Sequence, residues 1–422
     1  MHSVTNAIPT GTIASIPAKA HAHRALICAA LANSPSTILL SRTSKDIDAT
    51  MDSLRGLGAH VVYENKVVTV TPGPVPAKGN VVPHESGTTL RLLLPVAASI
   101  CNDVDVDAKG RLPDRPLEPM LGEMKAHGVI FSQDKPPFTM IGRLQGGNFS
   151  MVGDVSSQFF SGLLLAAPQI GLSTITSTTP LQSSDYVTLT TETMRDFGVE
   201  VEHTLPDTNI NEAFTVPFGA SFIGRDNYQI EGDWSNAAIW MVAAGMTGKP
   251  ITITGMNKNS VQADRRIMQV MIDAGCDVVW DGMNVTVTGR ASKPIHADLE
   301  QMPDMLPVMA ALACSISGES SFVKGARLRL KESDRLVAVA NLVRDLGGTV
   351  REEGDDLYII GSGILKGGQG DCVNDHRLVM AGTLMALISE NPVTLQDSEA
   401  ITKSYPHFFE DWNLLGGNAQ LV

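Results

Sequence analysis

Three short segments of this chain place anion-binding groups at the head of an apolar, small-residue-rich run: Ser86-Gly87-Thr88-Thr89, Ser156-Ser157-Gln158 and Asp375-His376-Arg377. Each run reads as a helix, and the free N–H groups and dipole at a helix start attract phosphate or carboxylate. Ser, Thr and Asp also cap helices in any protein, so it is the repetition at equivalent points that makes these residues candidate ligands. Cations fall at the same points: Lys19, Arg24, Arg91, Arg111, Arg115, Lys331, Arg335, Arg377 and Lys403. Arginine grips carboxylate or phosphate with paired N–H groups. Arg91 and Arg115 lie close to Glu85 and Asp114 in sequence and read as structural ion pairs. Two acids complete the set. Asp304, between Met302-Pro303 and the apolar run Met305 to Cys314, occupies the position of a helix N-cap. Glu332 sits in the charge-dense turn Arg329-Leu330-Lys331-Glu332-Ser333-Asp334-Arg335 ahead of a helix Leu336 to Leu346. Carboxylates beside cations can share general base and general acid work.

Other patterns carry no such chemistry. Gly361-Ser362-Gly363 with Gly367 follows a strand-like segment, but its spacing is wrong for a dinucleotide loop, and it reads as a hairpin. His21 and His23 bracket Ala22 without further metal-ligand types nearby, so no metal is expected there. The five cysteines, Cys28, Cys101, Cys276, Cys314 and Cys372, are scattered through apolar stretches, as expected of reduced thiols in a cytoplasm. The N-terminus shows neither a basic region nor a long apolar run, and no apolar segment reaches bilayer length.

Elements that position these residues recur. Apolar helices are expected at Arg24 to Ala32, Thr88 to Ser99, Ser157 to Ala167, Ser235 to Gly245, Met305 to Ser315 and His376 to Ser389, roughly 65 to 80 residues apart. Short β-branched strands follow, as in Ser36-Thr37-Ile38-Leu39-Leu40 and Ser173-Thr174-Ile175-Thr176. A second, amphipathic helix then closes on a glycine in Met51 to Gly58, Thr191 to Gly198, Ile267 to Gly275 and Val337 to Gly347, as a C-terminal cap requires. With 422 residues, 43% hydrophobic and 18% charged, the chain exceeds one core. Six β-α-β-α-β-β units, three per domain, are expected, with buried helices and outer sheets. The net charge of -13 disfavours nucleic acid and anionic membrane as partners and demands a local basic site for any anionic ligand.

Taken together, Lys19 with His23-Arg24-Ala25-Leu26, Ser86 to Arg91, Gly110-Arg111 with Arg115-Pro116, Ser156 to Phe159, Pro303-Asp304, Leu330 to Arg335, Asn374 to Arg377 and Lys403-Ser404-Tyr405-Pro406 resemble the 5-enolpyruvylshikimate-3-phosphate synthase family of enolpyruvyl transferases. The resemblance spans essentially the whole chain. It implies a two-domain inside-out α/β barrel: one lobe from 18–229, the other from 1–17 plus 230–422, and a double-crossing hinge near 16–18 and 228–232. It implies transfer of the enolpyruvyl group of phosphoenolpyruvate to the 5-hydroxyl of shikimate 3-phosphate in the pathway to chorismate and aromatic amino acids. No metal or cofactor is implied, and the family supplies glyphosate's target. Asp304, Glu332 and Lys19 would be catalytic. Lys19, Ala20, Arg24, Ser156, Ser157, Ser183, Tyr186, Asp304 and Lys331 match shikimate 3-phosphate positions. Lys19, Gly87, Arg111, Gln158, Arg335, Arg377 and Lys403 match phosphoenolpyruvate positions. A monomer is expected.

Departures are specific. The family's first loop usually has serines on both sides of the lysine, whereas this chain reads Pro17-Ala18-Lys19-Ala20. Loss of a hydrogen bond to a charged group is worth roughly 1.5 to 3 kcal/mol, so weaker acceptor binding is expected. Glu85 and Arg327 each replace a common asparagine. The alternatives are UDP-N-acetylglucosamine enolpyruvyl transferase, disfavoured because the loop around Arg111 lacks a cysteine, and a non-catalytic anion-binding paralogue suggested by Ala18 and Ala20.

Overall fold

The computed structural model describes residues 1–205 and 211–422, and the chain divides into two compact units. One is Pro17–Ile230; the other joins Met1–Ile16 to Glu231–Val422. The described residues form six four-stranded sheets, three in each unit.

All six sheets follow one plan. In the unit Pro17–Ile230, for example, strand Gly79–Val81 runs parallel to Asp103–Val106, which pairs antiparallel with Phe138–Ile141, which in turn pairs antiparallel with the edge strand Ile130–Phe131. A helix, Gly87–Ile100, makes the parallel crossover, and a shorter one, Met120–Ala126, leads to the edge strand. Parallel neighbours need such a crossover, while antiparallel ones close through short turns. The α/β repeat of the sequence is therefore present in each sheet.

Two strands depart from chain order. Gly11–Ala14 precedes the helix Lys19–Ala30 in sequence yet pairs with Ile251–Thr254, and Tyr228–Gln229 precedes the helix Trp234–Thr247 yet pairs with Ile38–Leu39. The unit Pro17–Ile230 thus takes this strand from the end of its own span, and the other unit takes its strand from the N-terminal segment Met1–Ile16. The last sheet is completed by His2–Val4, which lies between Val393–Leu395 and Ala419–Leu421.

The long helices are apolar all round because they are covered all round. Leu90, Leu92, Leu93, Leu94, Val96 and Ala97 of Gly87–Ile100 are fully buried, as are Phe159, Phe160, Leu163, Leu164 and Leu165 of Ser157–Ile170. Each large side chain so buried contributes about 1.5 to 3 kcal/mol. These two helices approach closely at Gly162, where an added Cβ would stand 2.5 Å from the Arg91 carbonyl. Strands alternate instead: Val67–Thr71 buries Val68 and Val70 and exposes Thr69, the two-residue period of a half-covered sheet.

The shorter helices end alike. Gly58, Gly128, Gly198, Gly275, Gly347 and Gly416 follow them at φ between +87° and +103°, the left-handed region that glycine enters without a Cβ clash. Four of these ends were expected. Met120–Ala126 and Phe408–Leu414 complete the series. The Gly361–Gly367 stretch is not a hairpin: it carries the chain from strand Asp356–Gly361 of one sheet to Gly368–Gly370 of the next.

Candidate active site

In the unit Pro17–Ile230, Ser86 and Ser156 cap their helices by accepting from Thr89 N and Gln158 N. The helix Lys19–Ala30 has no side-chain cap, since Ala18 occupies that position. Lys19 projects from its first residue and is held by Asp46, with Nζ 2.7 Å from Oδ2. Gln158 bridges two helices by donating to Thr88 Oγ1 at 2.9 Å and accepting from Arg91 Nη1 at 3.1 Å. Arg91 is buried and also donates to the Pro116 carbonyl. Arg115 lies over Gly87, where a Cβ would meet its Nη1 at 2.6 Å. These contacts build the glycine loop, a role beyond the simple ion pairs expected of both arginines; Asp114 is joined instead by Lys135. Arg111 stands exposed after Gly110, whose Cβ position is filled by the Glu85 carboxyl.

Arg24 is 1% exposed. It donates to Thr190 Oγ1, Ser161 Oγ and the carbonyls of Ala20 and Tyr186, which engages four of its five N–H groups. Its main structural effect is to fix the backbone at Ala20 and Tyr186. Burial draws its proton affinity down, to about 10. Ser156, Ser157 and Ser183 are nearly buried, and Ser183 has φ +54°. His21 bonds Tyr228 Oη at 2.8 Å, and His23 bonds Thr50 Oγ1 at 2.6 Å.

The second unit gathers acids around one arginine. Arg335, 1% exposed, donates from Nε to Asp375 Oδ2 at 2.9 Å, from Nη1 to Asp304 Oδ1 at 2.8 Å and from Nη2 to Glu332 Oε2 at 2.6 Å. Burial alone would weaken its hold on its proton, and the three carboxylates more than offset that. Asp304 also takes Lys331 Nζ at 3.3 Å and Arg377 Nη2 at 3.1 Å. Burial favours its neutral form, but Arg377, Lys331 and Arg335 hold it well below the usual carboxylate range. Lys331 is pushed down to about 8, chiefly by burial. Asp304 is not the N-cap expected of it. It lies inside the short turn Pro303–Met305, neither that turn nor the helix Leu306–Cys314 has a side-chain cap, and its carboxylate goes to the cations instead.

Asp375 does cap its helix, accepting from Arg377 N at 3.0 Å, and takes the Ser333 hydroxyl at 3.0 Å. Val373 and Asn374 just before it both have positive φ. That is a costly conformation for a β-branched residue, and the turn it makes turns the Asn374 carbonyl to Lys403 Nζ at 2.8 Å.

Of the expected residues, Arg24 and Tyr186 are bonded in one unit, where Gln158 also reaches Thr88 beside Gly87; in the other, Asp304, Lys331, Glu332, Arg335 and Arg377 share ion pairs, and Lys403 is tied to Asn374. Asp46 and the Arg335-holding role of Asp375 were missed. Each reads in sequence as an ordinary acid at a helix start, favoured there by the dipole. Among the described residues no cluster of His, Cys, Asp or Glu could hold a metal, and no helix is long and apolar enough to cross a membrane.

A repeated α/β fold carrying an unprotonated acid among cations is equipped for acid–base work on anionic ligands. Residues 7–412 match the family of EPSP synthase (3-phosphoshikimate 1-carboxyvinyltransferase). The chain is 36% identical over 412 residues to the 3-phosphoshikimate 1-carboxyvinyltransferase of Clostridium kluyveri, covering 96% of this chain and 95% of that one. It is 34% identical to the protein of that name from Methanocorpusculum labreanum, covering 97% of each. A solved EPSP synthase from Acinetobacter baumannii has the same fold, with TM-score 0.80 over 100% of this chain and 99% of that one at 22% identity. The chain belongs to the EPSP synthase family.

Proposed function

We propose that this chain transfers the carboxyvinyl group of phosphoenolpyruvate to the 5-hydroxyl of shikimate 3-phosphate and releases phosphate, a reading supported by relatives named 3-phosphoshikimate 1-carboxyvinyltransferase. The observation that carries the reading is the Asp304 carboxylate, kept unprotonated by Arg335, Lys331 and Arg377. In this reading Asp304 takes the proton of the attacking 5-hydroxyl as oxygen bonds to C2 of the enol. Glu332 and Lys19 serve proton delivery to C3, giving a tetrahedral intermediate that expels phosphate as the C–O bond breaks and a C3 proton leaves.

Asp304 as it stands is a weak base, and substrate would correct that. A phosphate or carboxylate drawing Lys331 and Arg377 toward itself removes their stabilisation of the Asp304 anion and adds negative charge beside it, so its proton affinity rises. The reading gives shikimate 3-phosphate the groups Lys19, Ala20, Arg24, Ser156, Ser157, Ser183, Tyr186, Asp304 and Lys331. The donor takes Lys19, Arg111, Gln158, Arg335, Arg377, Lys403 and the backbone at Gly87. We also read each unit as one lobe of an inside-out α/β barrel with the double chain crossing as hinge, and the enzyme as a cytoplasmic monomer.

The test is phosphate release from phosphoenolpyruvate with shikimate 3-phosphate, with UDP-N-acetylglucosamine, and with no acceptor. Release is expected with the first alone. Release only with the nucleotide sugar would move the reading to that transferase, and release with neither would make the chain a non-catalytic paralogue.

A further inference from the structure

Behind the Asp304 cluster stands an acid that the reaction above does not use. Asp264 lies in the turn Ala263–Arg266, 1% exposed. Its Oδ2 accepts the hydroxyl of Ser235, at the start of the helix Trp234–Thr247, while Oδ1 is buried with no hydrogen-bond partner among the described residues. That helix packs on both the Asp264 turn and the Pro303–Met305 turn that carries Asp304. A buried carboxyl oxygen left without a donor costs about 1 to 3 kcal/mol, a feature that good packing alone does not explain.

Its surroundings name the effect. Asp304 from the neighbouring turn and Asp233 from the head of the same helix repel its charge, while Arg377 from the helix His376–Ala386 attracts it. Arg377 also attracts Asp304. On its own turn, Arg265 and Arg266 donate to the carbonyls of Lys258 and Ala263. The guanidinium of Arg377 is bonded to Asp304, and its charge is felt through space at Asp264 as well.

We propose that Asp264 is a positioning residue whose buried charge, on a turn packed against the same helix as the turn of Asp304, keeps Asp304 basic enough to accept the hydroxyl proton. When Asp264 is ionised, its negative charge lies near Asp304 and raises Asp304's proton affinity. When Asp264 is neutral, that repulsion is absent and the base is weaker. Burial first, and Asp304 second, raise the Asp264 carboxyl to about 6, so the device switches within the working pH range. The inference rests on Asp304 being the proton acceptor.

The experiment measures kcat from pH 5 to 8.5 for the wild type, Asp264→Asn and Ser235→Ala, with thermal unfolding of each. The wild type is expected to gain rate through a transition near pH 6. Asp264→Asn should lack that transition, matching the wild type below it and falling about threefold to tenfold short above it, with the KM for shikimate 3-phosphate changed less than twofold. Ser235→Ala removes the donor that favours the Asp264 anion, so its transition should move to higher pH and persist. A structural role alone would lower kcat of both variants equally at every pH, and that outcome overturns the inference. An unchanged profile in a folded Ser235→Ala overturns it even where Asp264→Asn fails to fold. Absence of wild-type turnover would instead overturn the proposed reaction.

Discussion

Arg335 holds three carboxylates with one buried guanidinium, and its bond to Asp375 involves two groups with almost no access to water. Breaking a buried pair leaves an uncompensated charge, at a cost of about 3 to 5 kcal/mol. Asp375→Asn is isosteric and can still cap the helix, so the expected loss is at the low end, about 3 kcal/mol by denaturant titration. Catalysis should fall with it as the guanidinium swings toward Glu332 and Asp304, and a variant as stable and active as wild type would contradict this. On the acceptor side, Ala20→Ser restores a hydroxyl beside Lys19 and should lower the KM for shikimate 3-phosphate about tenfold. An unchanged constant would mean that the contact is already replaced. Residues such as Asp304, Glu332, Lys331 and Arg377 were legible because charge beside apolar helix starts is unusual. Asp46 and Asp264 were not, because their partners lie 27 residues or more away and each sits in a run that looks like an ordinary solvated helix start.

Helices and their ends carry the next level of argument. The helix Lys19–Ala30 buries His21 and His23, and burial lowers both, His21 to about 4. Below pH 6.5 the unfolded chain takes up protons that these folded imidazoles refuse, so stability is complete above that pH and lost as it falls toward 4. For His21 the loss is on the order of 3 kcal/mol at the bottom of that window. His21→Gln should flatten the pH dependence of the Tm between 6.5 and 4, and a slope equal to wild type would refute the assignment. Gly275 ends its helix at φ +101°; Gly275→Ala should cost about 1 to 2 kcal/mol, seen as a shifted denaturant midpoint. Four glycine-terminated helices were readable from period and cap. Met120–Ala126 and Phe408–Leu414 were not, since seven residues make only two turns, too few to establish a period. The Gly361–Gly367 connection was misread because glycine clusters mark any tight path, and here the constraint is the Ile316 carbonyl, 2.0 Å from where a Cβ on Gly361 would stand.

At the scale of the whole molecule, sheet membership decides which pieces can stand alone. Every strand of the three sheets in Pro17–Ile230 comes from that span, whereas two sheets of the other unit need Gly11–Ala14 and His2–Val4. A fragment of 17–230 should therefore unfold cooperatively by itself, while 231–422 should do so only when residues 1–16 are supplied; cooperative unfolding of 231–422 alone would contradict the exchanged-strand account. The number of repeats and the burial of the long helices were legible from the recurrence of apolar helices. The strand exchange was only partly so, because two to four residues of strand carry no label for the partner they will find 190 to 240 residues away. The net charge of -13 coexists with cations collected at helix starts, which is how an acidic protein presents a site for anionic ligands. The account as a whole turns on Asp304 acting as a base from within its cage of cations. Single-turnover phosphate release from phosphoenolpyruvate in the presence of shikimate 3-phosphate, compared between the wild type and Asp304→Asn at saturating substrates, tests it most directly. A fall of about a hundredfold to ten thousandfold with acceptor affinity changed by less than tenfold is predicted, and equal rates in the two proteins would contradict it.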